Sequence, residues 1–166
     1  MGRERCNPST CTCEFLNWGV WASSVRDPLN NSKTIAAIGT YVAGTPTTAV
    51  QLPQMGSATY SGFMAGFASN NGQINPATGS YQNTWDFSRR QGAFTGSFDG
   101  RNYSGNMNST GPTTFGGTIN GGRRSGSLNG GFFSSPTDAA AYQAGTFSIG
   151  SARSHYQATG IFAGQR

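Results

Sequence analysis

The sequence is poor in charge, in helix-forming residues and in long apolar runs. Only 10% of its 166 residues are charged, and a single lysine stands among the eleven basic residues. No window reaches the roughly 20 consecutive apolar residues of a membrane-spanning helix, and no N-terminal stretch resembles a signal peptide. The scarcity of Lys, Glu and Leu disfavours a helical bundle. The mild excess of arginine, without a dense basic stripe, disfavours nucleic-acid binding.

Glycine and small polar residues are abundant instead. Gly, Ser, Thr and Asn make up nearly half of the chain, which contains 25 Gly. Aromatic residues, at 12%, are too frequent for a disordered chain. A chain of this length can bury a full core in one domain without staples. The role of the glycines is therefore the main question that the composition raises.

Turn signals divide the chain after residue 55 into eight short strands. Consecutive antiparallel strands on tight connections close most simply as an up-and-down barrel, because closure removes both sheet edges. We therefore predict an all-β fold, an eight-stranded antiparallel up-and-down β-barrel. The predicted strands are 57–67, 80–88, 93–98, 102–108, 113–120, 124–133, 143–149 and 155–163, with a long turn region at 69–79 and one or two helical turns at 137–142.

The first 55 residues differ from the rest, since they hold only four of the glycines. Segments 15–21 and 34–43 are predicted as two strands that pack on the barrel. Trp18 and Trp21 are three residues apart on the first of them and therefore face opposite ways, one toward the barrel wall. We divide the chain into a Cys-containing tail or linker, 1–12, an N-terminal β segment, 13–55, and the barrel, 56–166.

Five of the barrel strands carry a glycine flanked by large residues two positions away on either side. A spacing of two places all three residues on one face of a strand. This face collects the aromatic residues, so we predict that it is the interior and that side chains fill it rather than leaving a ligand cavity. The five are Tyr60-Gly62-Met64, Phe94-Gly96-Phe98, Tyr103-Gly105-Met107, Phe115-Gly117-Ile119 and Leu128-Gly130-Phe132.

All three cysteines, Cys6, Cys11 and Cys13, lie in the first thirteen residues. We expect one disulfide plus one further thiol, with Cys6–Cys13 and Cys6–Cys11 both compatible with the sequence. Cys11–Cys13 is disfavoured because so short a loop strains a disulfide. We predict no metal site, because zinc needs a fourth ligand and the only histidine, His155, is distant in sequence. A disulfide indicates an extracytoplasmic location.

Alternate connections of an up-and-down barrel share one end. The connections at 69–79, 99–101, 121–124 and 150–154 therefore lie together, and Asp99 is the only acidic residue among them. We predict a basic rim there, whose chemistry suits an acidic protein surface, a phosphate or a lipopolysaccharide. The sequence alone favours the alternative, that arginines at hairpin tips keep a weakly charged barrel soluble. The residues of the predicted rim are Arg101, Arg123, Arg124 and Arg153.

Catalysis finds little support in the sequence. The six carboxylates are spread along the chain, and no Ser-His-Asp grouping is evident around His155. Hydrolysis of glycosides would need two carboxylates held close together. We predict no enzymatic activity and no cofactor. Haem ligation by His155, or by a Met or Tyr on a loop, stays open as an alternative.

Several short segments follow one another in a characteristic order. Residues 41–62 contain Tyr-Val-Ala-Gly-Thr-Pro and Gln-Leu-Pro-Gln-Met-Gly-Ser-Ala-Thr-Tyr-Ser-Gly, and Cys13–Trp21 precedes them. Downstream lie Trp85-Asp86-Phe87, Ser97–Gly100, Gly130–Phe133 and Gly160–Arg166. In this order, over about residues 13–166, the chain resembles the β-barrel domain of the transferrin-binding protein B family of Gram-negative surface lipoproteins.

The resemblance implies a non-enzymatic binding module at a bacterial cell surface or in the secreted fraction. Known members bind host iron proteins or complement regulators, or carry haem, and pair each barrel with a handle domain. This chain has one barrel and a two-stranded handle remnant at most. We expect contact with a host protein or other ligand through loops and rims. The alternatives are a structural or display domain of a larger surface protein, and a carrier of haem or another hydrophobic solute.

Overall fold

The computed structural model of the protein describes residues 6–7, 10–29, 31 and 33–166, and all its regular elements are β-strands. No helix in this part of the chain is long and apolar enough to cross a membrane. The ten strands are β1 Leu16–Arg26, β2 Lys33–Gly44, β3 Ser57–Asn70, β4 Gln73–Asp86, β5 Gln91–Phe98, β6 Arg101–Ser109, β7 Thr114–Gly121, β8 Arg124–Phe133, β9 Tyr142–Gly150 and β10 Tyr156–Gln165.

Strands β3 to β10 close into an antiparallel barrel. Each strand pairs with its neighbours in sequence, and β10 pairs with β3 to complete the ring. The closing pair runs from Tyr156 opposite Asn70 to Gln165 opposite Ser61. The prediction of an all-β, eight-stranded up-and-down barrel is confirmed.

The hairpin between β3 and β4 differs from the sequence prediction. The long turn region predicted at 69–79 is wrong, because both strands extend into it and only Asn71 and Gly72 form the turn. Both residues have positive φ, 49° and 83°, which two-residue hairpin turns require and Asn-Gly favours. Pro76 suggested a loop because proline cannot donate to a strand ladder. It is accommodated because β4 pairs there with β3 alone, and pairing with β5 begins only at Tyr81.

Inward-facing side chains from all eight strands fill the barrel. Tyr81 stacks on Phe162 with ring centroids 4.6 Å apart, and Phe98 meets Phe147 edge to face at 4.7 Å. The interior is therefore a packed core, as the repeated pattern of large residues and glycine predicts. The core includes Tyr60, Met64, Tyr81, Trp85, Phe94, Phe98, Tyr103, Met107, Phe115, Ile119, Leu128, Phe132, Phe147, Ile149, Tyr156 and Phe162.

The interior glycines mark the places where neighbouring backbones approach closely. At Gly105 an added Cβ would lie 2.0 Å from the carbonyl oxygen of Thr118 on β7. At Gly117 it would lie 2.1 Å from the carbonyl oxygen of Asn106 on β6. Neither distance is compatible with a side chain. These positions therefore require glycine because a neighbouring strand, and not only a neighbouring ring, occupies the space.

A small polar cluster lies within this apolar interior. The Tyr81 hydroxyl donates to Oε1 of Gln143 at 2.7 Å, and Nδ2 of Asn83 donates to the same oxygen at 2.9 Å. Asn83 and Gln143 are fully buried. These two hydrogen bonds link β4 to β9. The two strands are not neighbours in the sheet, so the link runs across the barrel interior.

The loop between β8 and β9 covers the barrel end opposite the predicted rim. The helical turns predicted at 137–142 are wrong. The Asp138 carboxylate accepts a hydrogen bond from the backbone N–H of Ala140 at 3.0 Å, and such local bonding competes with helix formation. The buried Ala140 carbonyl accepts from the Tyr60 hydroxyl at 2.9 Å, and Nε of Arg166 donates to Asp138 at 2.7 Å. The loop is therefore tied both to the core and to the end of the chain.

Strands β1 and β2 form a separate two-stranded sheet, here called the β1–β2 ribbon. Its base packs on the outer wall of the barrel, where Leu16 is buried and Trp18 lies against Phe63 with centroids 5.9 Å apart. Trp21 is 51% exposed. The prediction that the two tryptophans face opposite ways, one of them toward the barrel wall, is confirmed.

Replacing an interior glycine tests the close approach of the strands. Gly105→Ala should lower the free energy of unfolding by about 3 kcal/mol, because the new methyl group collides with the backbone of β7. Chemical denaturation measures the change. Gly150→Ala is the control, because an added Cβ there meets nothing within 4 Å. Equal stability of the two variants would contradict the close approach.

The buried tyrosines predict alkaline unfolding. Burial raises the pKa of Tyr60, Tyr81 and Tyr156, so above pH 10 the folded chain holds protons that the unfolded chain has released. Above pH 10 stability should fall by up to about 1.4 kcal/mol per pH unit for each tyrosine. Denaturation at stepped pH measures the slope. Tyr81→Phe should make it shallower, and an unchanged slope would argue against the burial of this hydroxyl.

Candidate functional site

The four predicted rim arginines lie at one end of the barrel. Arg101 begins β6, Arg124 begins β8, and Arg123 and Arg153 lie in the β7–β8 and β9–β10 turns. These turns share an end because alternate connections of the barrel lie together. The name arginine rim is used below for Arg101, Arg123, Arg124 and Arg153.

Arg124 is a structural member of this rim. Its guanidinium carbon lies 3.3 Å from the ring centroid of Tyr156, and Nη1 lies 3.4 Å from the Asp99 carboxylate. Its side chain is only 20% exposed. Burial, together with the Asp99 carboxylate, raises the pKa of Tyr156, so the ring beneath the guanidinium stays neutral. Arg124 therefore closes this end of the core instead of facing a partner.

The other three arginines are exposed. Nη1 of Arg101 donates to the carbonyl oxygen of Gly121 at 3.1 Å, which places Arg101 along the turn that carries Arg123. Arg153 lies in the longer β9–β10 turn, where its backbone N–H donates to the Ser151 hydroxyl at 3.3 Å. Three solvent-facing guanidinium groups thus lie on neighbouring turns at one end of the barrel.

An apolar pocket of about 450 Å³ lies near this end and was not expected from the sequence. The extended β3–β4 hairpin forms one side of it with Phe67 and Ile74, and Ile38 of β2 contributes another. Ile74 is 57% exposed. The pocket was missed because residues 69–79 were predicted as a long turn, although Asn71-Gly72 is a signal for a two-residue hairpin.

A larger groove lies on the outer wall of the barrel, with a volume of about 1080 Å³. Outward-facing Ser61, Gln82, Thr95 and Ser104 contribute hydroxyl and amide groups from four adjacent strands. Arg166 is the only charged side chain among the described residues that line it. Apart from Arg166, this groove outside the barrel is therefore lined by uncharged residues.

A disulfide joins Cys6 to Cys13, one of the two pairings that the sequence left open, with 4.3 Å between their Cα atoms. Both residues are buried, and the backbone N–H of Cys6 donates to Oε1 of Gln165 at 3.0 Å. The bond thus fixes the N-terminal segment beside the last barrel strand. Cys11 lies outside this disulfide, and burial raises the pKa of its thiol.

His155 is exposed in the β9–β10 turn. It immediately precedes Tyr156, whose ring lies under Arg124. The histidine therefore belongs to the same barrel end as the arginine rim and faces solvent instead of the core.

The architecture defines a class, an eight-stranded barrel with a β-ribbon docked on its outer wall. Solved structures with a similar fold match most of the chain. It is similar to a variant of transferrin-binding protein B from Haemophilus parasuis Hp5, with TM-score 0.64 and 15% identity over 93% of this chain and 33% of that one. It is also similar to the N-lobe domain of lactoferrin binding protein B of Moraxella bovis, with TM-score 0.60 and 13% identity over 92% of this chain and 76% of that one.

A protein described as a surface lipoprotein is a third similar structure, with TM-score 0.58 and 16% identity over 92% of this chain and 76% of that one. At these identities the likeness concerns the fold, and it confirms the transferrin-binding protein B-like barrel. The chain spans about a third of the length of the transferrin-binding protein B structures that it matches. No protein-family model and no curated protein sequence matches it.

Adjacent arginines should behave differently on substitution. Arg124→Ala should cost about 1 kcal/mol of stability, because it removes both the contact with Tyr156 and the Asp99 ion pair. Arg123→Ala should change stability by less than about 0.5 kcal/mol, because the side chain is exposed. Thermal and chemical denaturation of both variants measure the difference. A larger loss for Arg123→Ala would contradict the roles assigned to the two residues.

Proposed function

We propose that the chain is a non-enzymatic, extracytoplasmic binding module that contacts an acidic protein surface or another anionic surface ligand through the three exposed members of its arginine rim, Arg101, Arg123 and Arg153. The observation that carries this proposal is the filled barrel. Side chains from all eight strands occupy the interior, so recognition takes place on the outside.

The exposed arginines indicate which end of the barrel makes the contact. Arg101, Arg123 and Arg153 present their guanidinium groups to solvent, and the chain carries a formal net charge of +5. Arginine binds carboxylate and phosphate through paired, charge-assisted hydrogen bonds. The rim therefore suits an acidic protein patch or the phosphates of a surface glycolipid.

Two further observations support an extracytoplasmic site of action. The Cys6–Cys13 disulfide is typical of oxidising compartments. The similar solved structures are described as transferrin-binding, lactoferrin-binding and surface lipoproteins. On this basis we place the module at a bacterial surface or in the secreted fraction.

The module needs no cofactor for this role. Phe162 and Phe147 approach Gly130 and Gly160, where an interior ligand would otherwise find space. Titration with hemin, followed by absorption spectroscopy, should therefore give no saturable Soret shift. Stoichiometric hemin binding would instead favour the alternative of a haem carrier.

Charge reversal tests the rim directly. Arg123→Glu and Arg89→Glu form a matched pair, because both replace an arginine exposed in a turn and they lie at opposite barrel ends. The probes are serum proteins captured on the immobilised chain and lipopolysaccharide micelles in solution. Arg123→Glu should weaken binding, and combination with Arg101→Glu and Arg153→Glu should reduce the affinity at least tenfold. Arg89→Glu should bind like the parent chain.

Two results would contradict the proposal. Equal binding by the triple variant and the parent chain would remove the rim from the interaction. Failure of the parent chain to retain any serum protein or lipopolysaccharide would contradict the binding role and favour a structural or display domain.

A further inference from the structure

The apolar pocket near the arginine rim lies on the outer wall of the barrel. Phe67 of β3 and Thr159 of β10 both line it, and they lie opposite each other in the sheet. Each follows or precedes a core residue along its strand, Ala68 and Ala158 respectively. Successive side chains of a strand point to opposite faces, so Phe67 and Thr159 point outward. These side chains place the pocket beside the filled interior.

Two chain segments flank the pocket. Ile38 lines it from the β1–β2 ribbon, whose strand β2 contacts β9 and β10, and Ile74 lines it from the β3–β4 hairpin. Among the described residues, none that lines the pocket is charged. Its volume of about 450 Å³ is within the range of small-molecule sites, which are mostly apolar with a few polar groups. The pocket therefore has the size and lining of a site for an apolar group.

The β9–β10 turn joins this pocket to the arginine rim. Gly150 and Gln157 both line the pocket and lie opposite each other in the sheet. The turn between them carries Arg153, which is exposed, and the backbone N–H of Ser151 donates to the carbonyl oxygen of Tyr156 at 3.2 Å across its base. Arg153 is three residues beyond Gly150, so their Cα atoms are at most about 11 Å apart. An exposed guanidinium group thus lies beside an apolar pocket.

We infer that the pocket binds an acyl chain of a phosphorylated glycolipid whose phosphate contacts Arg153. This assignment rests on the binding role proposed for the arginine rim, and it selects the glycolipid from the two ligand classes that suit the rim. Such a lipid carries acyl chains and phosphates in one molecule. It therefore matches an apolar pocket and a neighbouring guanidinium group together, since arginine binds phosphate through paired, charge-assisted hydrogen bonds.

The pocket favours a lipid over an acidic protein surface. A flexible acyl chain is slender enough to pass between the ribbon and the hairpin. A folded protein surface that rests on the turns is held away from the pocket, because these two segments flank it. Carboxylates of an acidic surface also gain nothing there, since burial of a charged group among apolar side chains is costly.

Alkyl phosphates test the two parts of this site. Each CH₂ group removed from water contributes up to about fourfold in affinity. Decyl phosphate, used below its micellar concentration, should therefore bind at least about a hundredfold more tightly than ethyl phosphate. Decyl maltoside, which has the same chain and no charge, should bind about tenfold more weakly than decyl phosphate. Isothermal titration calorimetry measures all three affinities.

Variants of the full chain separate the pocket from the rim. Ile74→Ser should weaken both decyl ligands about fivefold, and the fold should persist because Ile74 is 57% exposed. Arg153→Ala should weaken decyl phosphate about tenfold and leave decyl maltoside unchanged. Val50→Ser is the control for the pocket, because Val50 is 93% exposed and does not line it. Arg89→Ala, at the opposite barrel end, is the control for the charge.

Failure of this assignment is distinguishable from failure of the rim. Equal binding of decyl phosphate by Ile74→Ser and the parent chain would overturn the acyl-chain site. So would equal affinity of the parent chain for decyl and ethyl phosphate, or loss of serum-protein capture by Ile74→Ser with unchanged binding of decyl phosphate. In these cases the rim stands if its triple charge reversal still weakens binding. A parent chain that binds neither decyl phosphate nor lipopolysaccharide would overturn the acyl-chain site and the glycolipid role of the rim together.

Discussion

The close approach of neighbouring strand backbones inside the barrel is the constraint on which the rest of the structure depends. Beside Gly126 on β8 and Gly79 on β4, the carbonyl oxygens of Ser148 and Ser97 lie within 2 Å of the position that a Cβ would take. An eight-stranded barrel encloses only enough space for side chains. Glycine at the narrow layer lets large rings on either side meet across bare backbone, and the barrel closes around a dense core.

Everything that can recognise a partner consequently lies on the outside. The exposed guanidinium groups of the arginine rim and the groove on the wall, in which Arg166 is the one charged side chain among the described residues, are two separate surfaces with different chemistry. Arg124 shows how the core and the rim are connected, because its guanidinium covers the Tyr156 ring. One arginine stabilises the barrel end from which its neighbours contact solvent.

The barrel was predictable from sequence because its packing imposes a period of two on glycine and aromatic residues alike. The β3–β4 hairpin was missed because Pro76 and the Asn-rich segment before it suggested a loop, whereas β4 pairs there with β3 alone and so tolerates the proline. Asn83 and Gln143 escaped notice because amides are usually exposed, and only the tertiary fold brings them to Tyr81. The rim could be located by strand alternation, but its exposed members could not be separated from Arg124. That distinction depends on Asp99 and Tyr156, which are distant in sequence.

The filled core is tested most directly by diffraction from crystals pressurised with xenon, which enters apolar cavities in proteins. A packed interior predicts no xenon density between the layers formed by Trp85, Phe115 and Phe132 at one end and Phe98 and Phe147 at the other. Ordered xenon sites along the barrel axis would reveal a connected cavity. Such sites would contradict the filled core and indicate that a ligand can bind inside the barrel.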